Sequence, residues 1–266
     1  MVKDLEFVDT HCHLHFDDYQ QDVEQVIKAA SSHRVNKMVC VGVNLEDSQR
    51  AVKLANRYDN LWAAIGVHPH EGAELIKDLE GMKKLNLLSK KPKVVAIGEI
   101  GLDYYREHAP RQIQKEALHA QIKMGLPTGL PFIFHVRDAL PAGRQAWGDF
   151  WQIIDSYPKI RGVVHCFSAH KQQLRDILLR GFYVGLNGIM TFTKYQDQLA
   201  AAKTVPLERL LLETDAPFLA PKPYRGQRCE PKHLAITAEF LANLRNESLQ
   251  ELAKATTKNA GELFGL

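Results

Sequence analysis

Eight short apolar runs recur along the chain, at 5–9, 37–43, 61–66, 94–98, 131–135, 162–165, 182–185 and 210–213, separated by longer amphipathic stretches. The stretches 21–32, 46–58, 111–123 and 171–180 carry apolar residues near the 3.6-residue helical period, and 232–244 with 249–264 end the chain in the same manner. Eight strands, each followed by helical sequence, predict an α/β fold of one kind, the (β/α)8 TIM barrel. No repeat, low-complexity tract or linker divides the chain. Its 266 residues suit a single barrel, so one domain over 1–266 is expected.

The polar residues gather where the apolar runs end. The first run leads into His11 and His13, the third into His68-Pro69-His70, and the fourth into Glu99 and Asp103. The fifth ends at His135-Val136-Arg137-Asp138, the sixth at His165, and the eighth at Glu213-Thr214-Asp215. Residues two apart in extended chain share a face, so His11 and His13 can offer two imidazoles to one cation while Cys12 points away. One histidine at a strand end commonly does no more than hydrogen-bond a loop. Six strands ending alike point to a shared task, because the carboxyl ends of parallel barrel strands open on one face. Glu99 and Asp215 follow apolar runs, and a buried carboxylate is costly unless it is paired or bound to a cation. His11, His13, His135 and His165 with Glu99 and Asp215 make a mixed N/O donor set suited to Zn²⁺ or Mn²⁺ and tolerant of Mg²⁺.

Composition agrees with a soluble enzyme: 45% of residues are hydrophobic, 24% are charged, and the net charge is +3. That mild charge permits a polyanionic substrate without arguing for one. Cys12, Cys40, Cys166 and Cys229 show no CxxC pair or regular spacing, which points to free thiols in a reducing compartment. The first residues lack the apolar core of a signal peptide, and no uncharged apolar run has membrane-spanning length. A cytoplasmic protein is expected.

Six ordered motifs carry a family resemblance. They are Asp9-Thr10-His11-Cys12-His13-Leu14, Gly66-Val67-His68-Pro69-His70, Gly98-Glu99-Ile100-Gly101-Leu102-Asp103-Tyr104, His135-Val136-Arg137-Asp138-Ala139, Val164-His165-Cys166-Phe167-Ser168, and Leu212-Glu213-Thr214-Asp215-Ala216-Pro217 with Arg225-Gly226. Over nearly its whole length the sequence resembles the TatD-type metal-dependent deoxyribonucleases of the amidohydrolase superfamily. The resemblance implies a two-metal centre held by His11, His13, Glu99, His135, His165 and Asp215, with Glu99 bridging, and DNA as the substrate, with single-stranded or frayed ends trimmed. Two divalent ions, Mg²⁺, Mn²⁺ or Zn²⁺, then assist hydrolysis without a covalent intermediate. Asp215 is also the expected general base. His68, His70, Arg137 and Lys194 are expected to contact phosphate, with Arg225 a weaker candidate. Tyr104 and Tyr105 are candidates for base stacking or for packing. His15, His33, His108, His119, His170 and His233 are read as structural or solvated.

One stretch departs from the family spacing. Pro141-Ala142-Gly143-Arg144-Gln145-Ala146-Trp147 precedes the helical sequence of Gly148–Ile154 and reads as an inserted surface loop at 141–147. Two other functions share this framework. The same donors suit hydrolysis of a carboxylic ester, lactone or cyclic amide. Cyclic-amide hydrolases of the wider superfamily often carry a carboxylated lysine at the bridging position, where this chain has Glu99. A catalytically silent binding barrel would show missing ligands, and all six are present.

Overall fold

The computed structural model describes residues 5–139 and 145–266. In chain order the elements are β1 (Phe7–Cys12), α1 (Val23–Ser32), β2 (Val35–Val41), α2 (Leu45–Ala55), β3 (Leu61–Ile65), α3 (Gly72–Lys77), α4 (Leu79–Leu88), β4 (Val94–Asp103), α5 (Arg111–Gly125), β5 (Phe132–Arg137), α6 (Gln145–Ile154), β6 (Gly162–Val164), α7 (Lys171–Leu179), β7 (Tyr183–Leu186), α8 (Gln196–Thr204), β8 (Leu210–Leu212), α9 (Leu234–Arg245) and α10 (Leu249–Phe264). Among the described residues the strands form one sheet in the order β1 to β8, each strand followed by at least one helix, which is the expected (β/α)8 fold. No described helix is long and apolar enough to cross a membrane.

The elements cluster into two compact units, one of residues 5–40 and 165–266, the other of 41–164. In the first, β1 pairs in parallel with β2 and β7 with β8, and a bridge joins Cys12 to Ala216 beyond β8. Phe7, Met38, Leu14 and Phe182 fill its core. The buried Tyr19 hydroxyl donates to the Cys229 carbonyl. In the second unit β3, β4, β5 and β6 pair in parallel order. Phe132 stacks on Phe134 at 5.6 Å, and Phe134 meets the edge of Phe150 at 5.2 Å. Every residue of β4 is buried, as suits a parallel strand covered on both faces.

Helix ends follow local chemistry. Asn44 accepts the Asp47 N–H at 2.9 Å ahead of α2, and Ser248 with Glu251 forms a capping box at the start of α10, which ends at Gly265. Asn44→Ala is expected to cost about 1 kcal/mol in urea unfolding. An unchanged midpoint would show that Asp47, which also accepts from the Val43 N–H, holds this turn alone.

Two sequence expectations shift. The fourth and fifth strands run on to Asp103 and Arg137, past the points where their apolar runs end, because β4 and β5 stay paired through Gly101–His135 and Asp103–Arg137. The insertion at 141–147 is corrected in part. Residues 141–144 lie outside those described, but Gln145–Trp147 open α6. Ala146 and Trp147 are buried there, Trp147 lies 5.8 Å from the Trp151 ring, and Asp138 Oδ1 accepts the Ala146 N–H at 2.9 Å. Burial of the Trp147 indole favours helix over the second half of that stretch.

Candidate metal centre

In the first unit the end of β1 meets the segment after β8. The Asp215 N–H donates to the His11 carbonyl at 2.8 Å and the His13 N–H to the Ala216 carbonyl at 2.7 Å. This pairing brings Asp215 Oδ1 to 3.6 Å from His11 Nε2 and 3.4 Å from His13 Nε2. Donors bound about 2.1 Å from one tetrahedral ion stand about 3.4 Å apart, so the spacing suits ligation. His165 joins them, its ring stacked on His11 at 4.0 Å. Burial opposes charge on Asp215, yet the hydrogen bond from His13 and the nearby His11 and His165 hold its carboxyl below the usual carboxylate range.

Two carboxylates that the sequence reading left without a role support this cluster. Asp9 is fully buried and accepts the Thr214 N–H at 2.9 Å and the Thr214 hydroxyl at 2.6 Å. Burial pushes its pKa up to about 8 despite those bonds. Glu213 accepts the Cys166 N–H at 2.5 Å and lies 3.6 Å from His165 Nδ1. Its Oε2 has no hydrogen-bond partner among the described residues, and with His11 and His165 it forms a group close enough to hold an ion. Gly185 makes room for it, since a Cβ there would sit 2.2 Å from Glu213 Oε2. A buried carboxylate oxygen beside two imidazoles fits a cation.

In the second unit Glu99 lies at the heart of β4, with Oε1 2.9 Å from His135 Nδ1 and 3.6 Å from His68 Nε2. Asp103, four residues on, accepts at Oδ2 from His135 Nε2 at 3.1 Å, and His70 Nε2 lies 3.2 Å from the same oxygen without completing a hydrogen bond. Burial works against its charge, but the two imidazoles hold its carboxyl well below the ordinary range. The His135 ring is thus flanked by carboxylates at both nitrogens, Asp103 Oδ2 at 3.1 Å from Nε2 and Glu99 Oε1 at 2.9 Å from Nδ1, and a cation that replaces the proton between Nδ1 and Glu99 would have both as ligands. His68 differs. Its Nδ1 accepts the His70 N–H at 3.2 Å, so its proton sits on Nε2, and burial pushes its pKa down to about 3. His68 is thereby a neutral hydrogen-bond donor in its own cluster.

The remaining candidates are more open. Arg137 is exposed at the end of β5, its guanidinium 4.0 Å over the Tyr105 ring. Lys194 is exposed before α8, and Arg225 lies 3.8 Å over Phe192. Tyr104 is buried, donating to Asp149 at 2.7 Å, so it packs and does not stack on a ligand. Phe218, which the sequence reading passed over, is 52% exposed with its ring 6.1 Å from His13. His15 is buried against His13, and all four cysteines are free thiols, as expected.

Comparison with known proteins accords with these clusters. The TatD related DNase family model matches residues 8–265. An uncharacterized metal-dependent hydrolase, YabD of Bacillus subtilis (strain 168), is 38% identical, with 96% of this chain and 98% of that protein covered. The 3'-5' ssDNA/RNA exonuclease TatD of Citrobacter rodentium (strain ICC168) is 36% identical over 93% of this chain and 94% of its own length. Among solved structures, the Escherichia coli K12 TatD homologue YJJV superposes with a TM-score of 0.87 at 31% identity, covering 98% of each chain. Over nearly its full length, then, the chain belongs to the TatD related DNase family and is a metal-dependent hydrolase.

Proposed function

We propose that this hydrolase cleaves phosphodiester bonds of DNA, working inward from single-stranded or frayed ends. The observation that carries the reading is the pairing of carboxylates with imidazoles at ligand spacing, Asp215 with His11 and His13 in one unit and Glu99 with His135 in the other. In this reading His11, His13, His165 and Asp215 of the first unit, and Glu99 and His135 of the second, would hold divalent cations. Those cations, when bound, offset the phosphate charge and lower the pKa of water.

The chain's own groups do the rest. Asp215, held ionised, accepts the proton of the attacking water at its carboxylate. His68, neutral with its proton on Nε2, donates a hydrogen bond to a phosphate oxygen and adds no charge of its own. Arg137 offers a bidentate contact to phosphate, and the Tyr105 ring beneath its guanidinium limits the side chain's freedom. His70 and Lys194 extend the phosphate contacts. The exposed Phe218 ring presents a face on which an unpaired base stacks, a contact open to single strands and closed to a stacked duplex. The name of the Citrobacter rodentium relative supports this substrate class.

The test strips metal with a chelator, then adds Mg²⁺, Mn²⁺ or Zn²⁺ separately to labelled single-stranded DNA, duplex DNA, RNA and model carboxylic esters. Metal-restored shortening of single-stranded DNA, faster than of duplex, is the expected result. Ester turnover with no phosphodiester cleavage under any metal would overturn it.

A further inference from the structure

Asp103 is saturated in an uncommon way. Its Oδ1 accepts two backbone N–H groups, from Tyr105 at 2.9 Å and Arg106 at 3.0 Å. Its Oδ2 faces two imidazole nitrogens, His135 Nε2 at 3.1 Å and His70 Nε2 at 3.2 Å. The side chain is 2% exposed, so water does not compete for these bonds. The backbone is held independently. Buried Gln114 of α5 accepts the Asp103 N–H at 2.8 Å and donates to the Asp103 carbonyl at 3.0 Å and the Ala109 carbonyl at 2.8 Å.

An ionised carboxylate only accepts, so His135 Nε2, hydrogen-bonded to Oδ2, carries a proton. In a neutral imidazole the other nitrogen then holds a lone pair. In His135 that other nitrogen is Nδ1, 2.9 Å from Glu99 Oε1, and it offers its lone pair once a cation takes the place of the proton between them. A histidine that donates one N–H to a carboxylate and offers the other nitrogen to a metal is fixed in tautomer and orientation. The second ring on the same oxygen, His70, belongs to the phosphate-contact set. It is set 4.3 Å from the His68 ring.

We infer that Asp103 is a positioning residue for His135, holding its Nε2–H so that Nδ1 is set to ligate metal. The inference rests on the metal-centre reading above for the role of His135. Asp103 does not itself touch metal or substrate. It makes metal affinity depend on a carboxylate outside the ligand set.

Asp103→Asn tests this with little change in shape. The amide nitrogen must face either two backbone N–H donors or the two rings. In the second case it forces His135 Nε2 to accept and moves the ring proton to Nδ1. The first measurement uses the parent protein alone: two-bond ¹⁵N–¹H spectra of the Zn²⁺-loaded chain labelled at histidine, with His135→Gln used to assign its signal. The His135 ring is expected in the Nε2–H form. A His135 ring mainly in the Nδ1–H form would overturn the inference.

The second measurement is the dissociation constant for Mn²⁺ or Zn²⁺ in Asp103→Asn, expected to rise by about 10–100-fold, together with a mixed tautomer signal at His135. Parent-like affinity in the folded variant would overturn the proposal. A residue that merely held the fold would lower the unfolding midpoint and leave tautomers and metal affinity in place. If the parent chain cleaves no DNA, the function proposed above fails while the tautomer result stands or falls separately.

Discussion

Replacing Asp215 by asparagine is expected to lower hydrolytic turnover by about 10²–10⁴-fold, the range for loss of a positioned proton acceptor. Asparagine keeps the size and planarity of the side chain but gives up the charge that faces His11 and His13. The backbone should tolerate the exchange. Asp215 sits at φ 61°, in the left-handed region where asparagine is among the few comfortable residues. Turnover on single-stranded DNA, bound metal by elemental analysis and the thermal midpoint together separate the possible causes. Full metal occupancy with near-parent turnover would assign the proton to another group.

Gly101→Ala is expected to destabilise the chain by about 3 kcal/mol or more. Gly101 pairs in register with His135 and has φ 153°, outside the range of most side chains. A Cβ there would lie 1.8 Å from the His135 carbonyl oxygen, so β4 and β5 would have to part. Gly129→Ala supplies the control. Its φ is 70°, but a Cβ would meet nothing within 4 Å, so only the backbone cost of about 1–2 kcal/mol applies. Urea unfolding should show a larger fall in midpoint for Gly101→Ala at similar slope. Equal midpoints would mean that the strands adjust without loss. Because Gly101 lies between Glu99 and Asp103 on β4, the same variant should also weaken metal binding by shifting His135.

Much of this molecule is legible in its residues. Strand and helix positions follow from apolar period, and α10 begins and ends where Ser248, Glu251 and Gly265 place its caps. The paired histidines at 11 and 13 share a face because strand geometry alternates with a period of two. What misled was local polarity. The fourth apolar run stops at Gly98 and 141–147 reads as an inserted loop, whereas β4 continues through Glu99 and Asp103 and α6 already includes Trp147. Local propensity loses to partners supplied from far along the chain. The supporting carboxylates stayed hidden for the same reason. Nothing near Asp9 in sequence shows that Thr214 will bind it, and nothing near Glu213 shows that Gly185 leaves it room.

The sequence by itself determined the strand count, the alternation with helices, and which imidazoles and carboxylates end the strands, because these depend on periodicity and order alone. Only the tertiary structure decided how those groups are charged and aimed. Burial and cross-strand hydrogen bonds push Asp9 up, hold Asp103 down, place the His68 proton on Nε2, and turn His135 Nδ1 toward Glu99. A side chain's identity fixes what it can donate or accept. Which of its atoms does so depends on neighbours that the chain brings together only when folded.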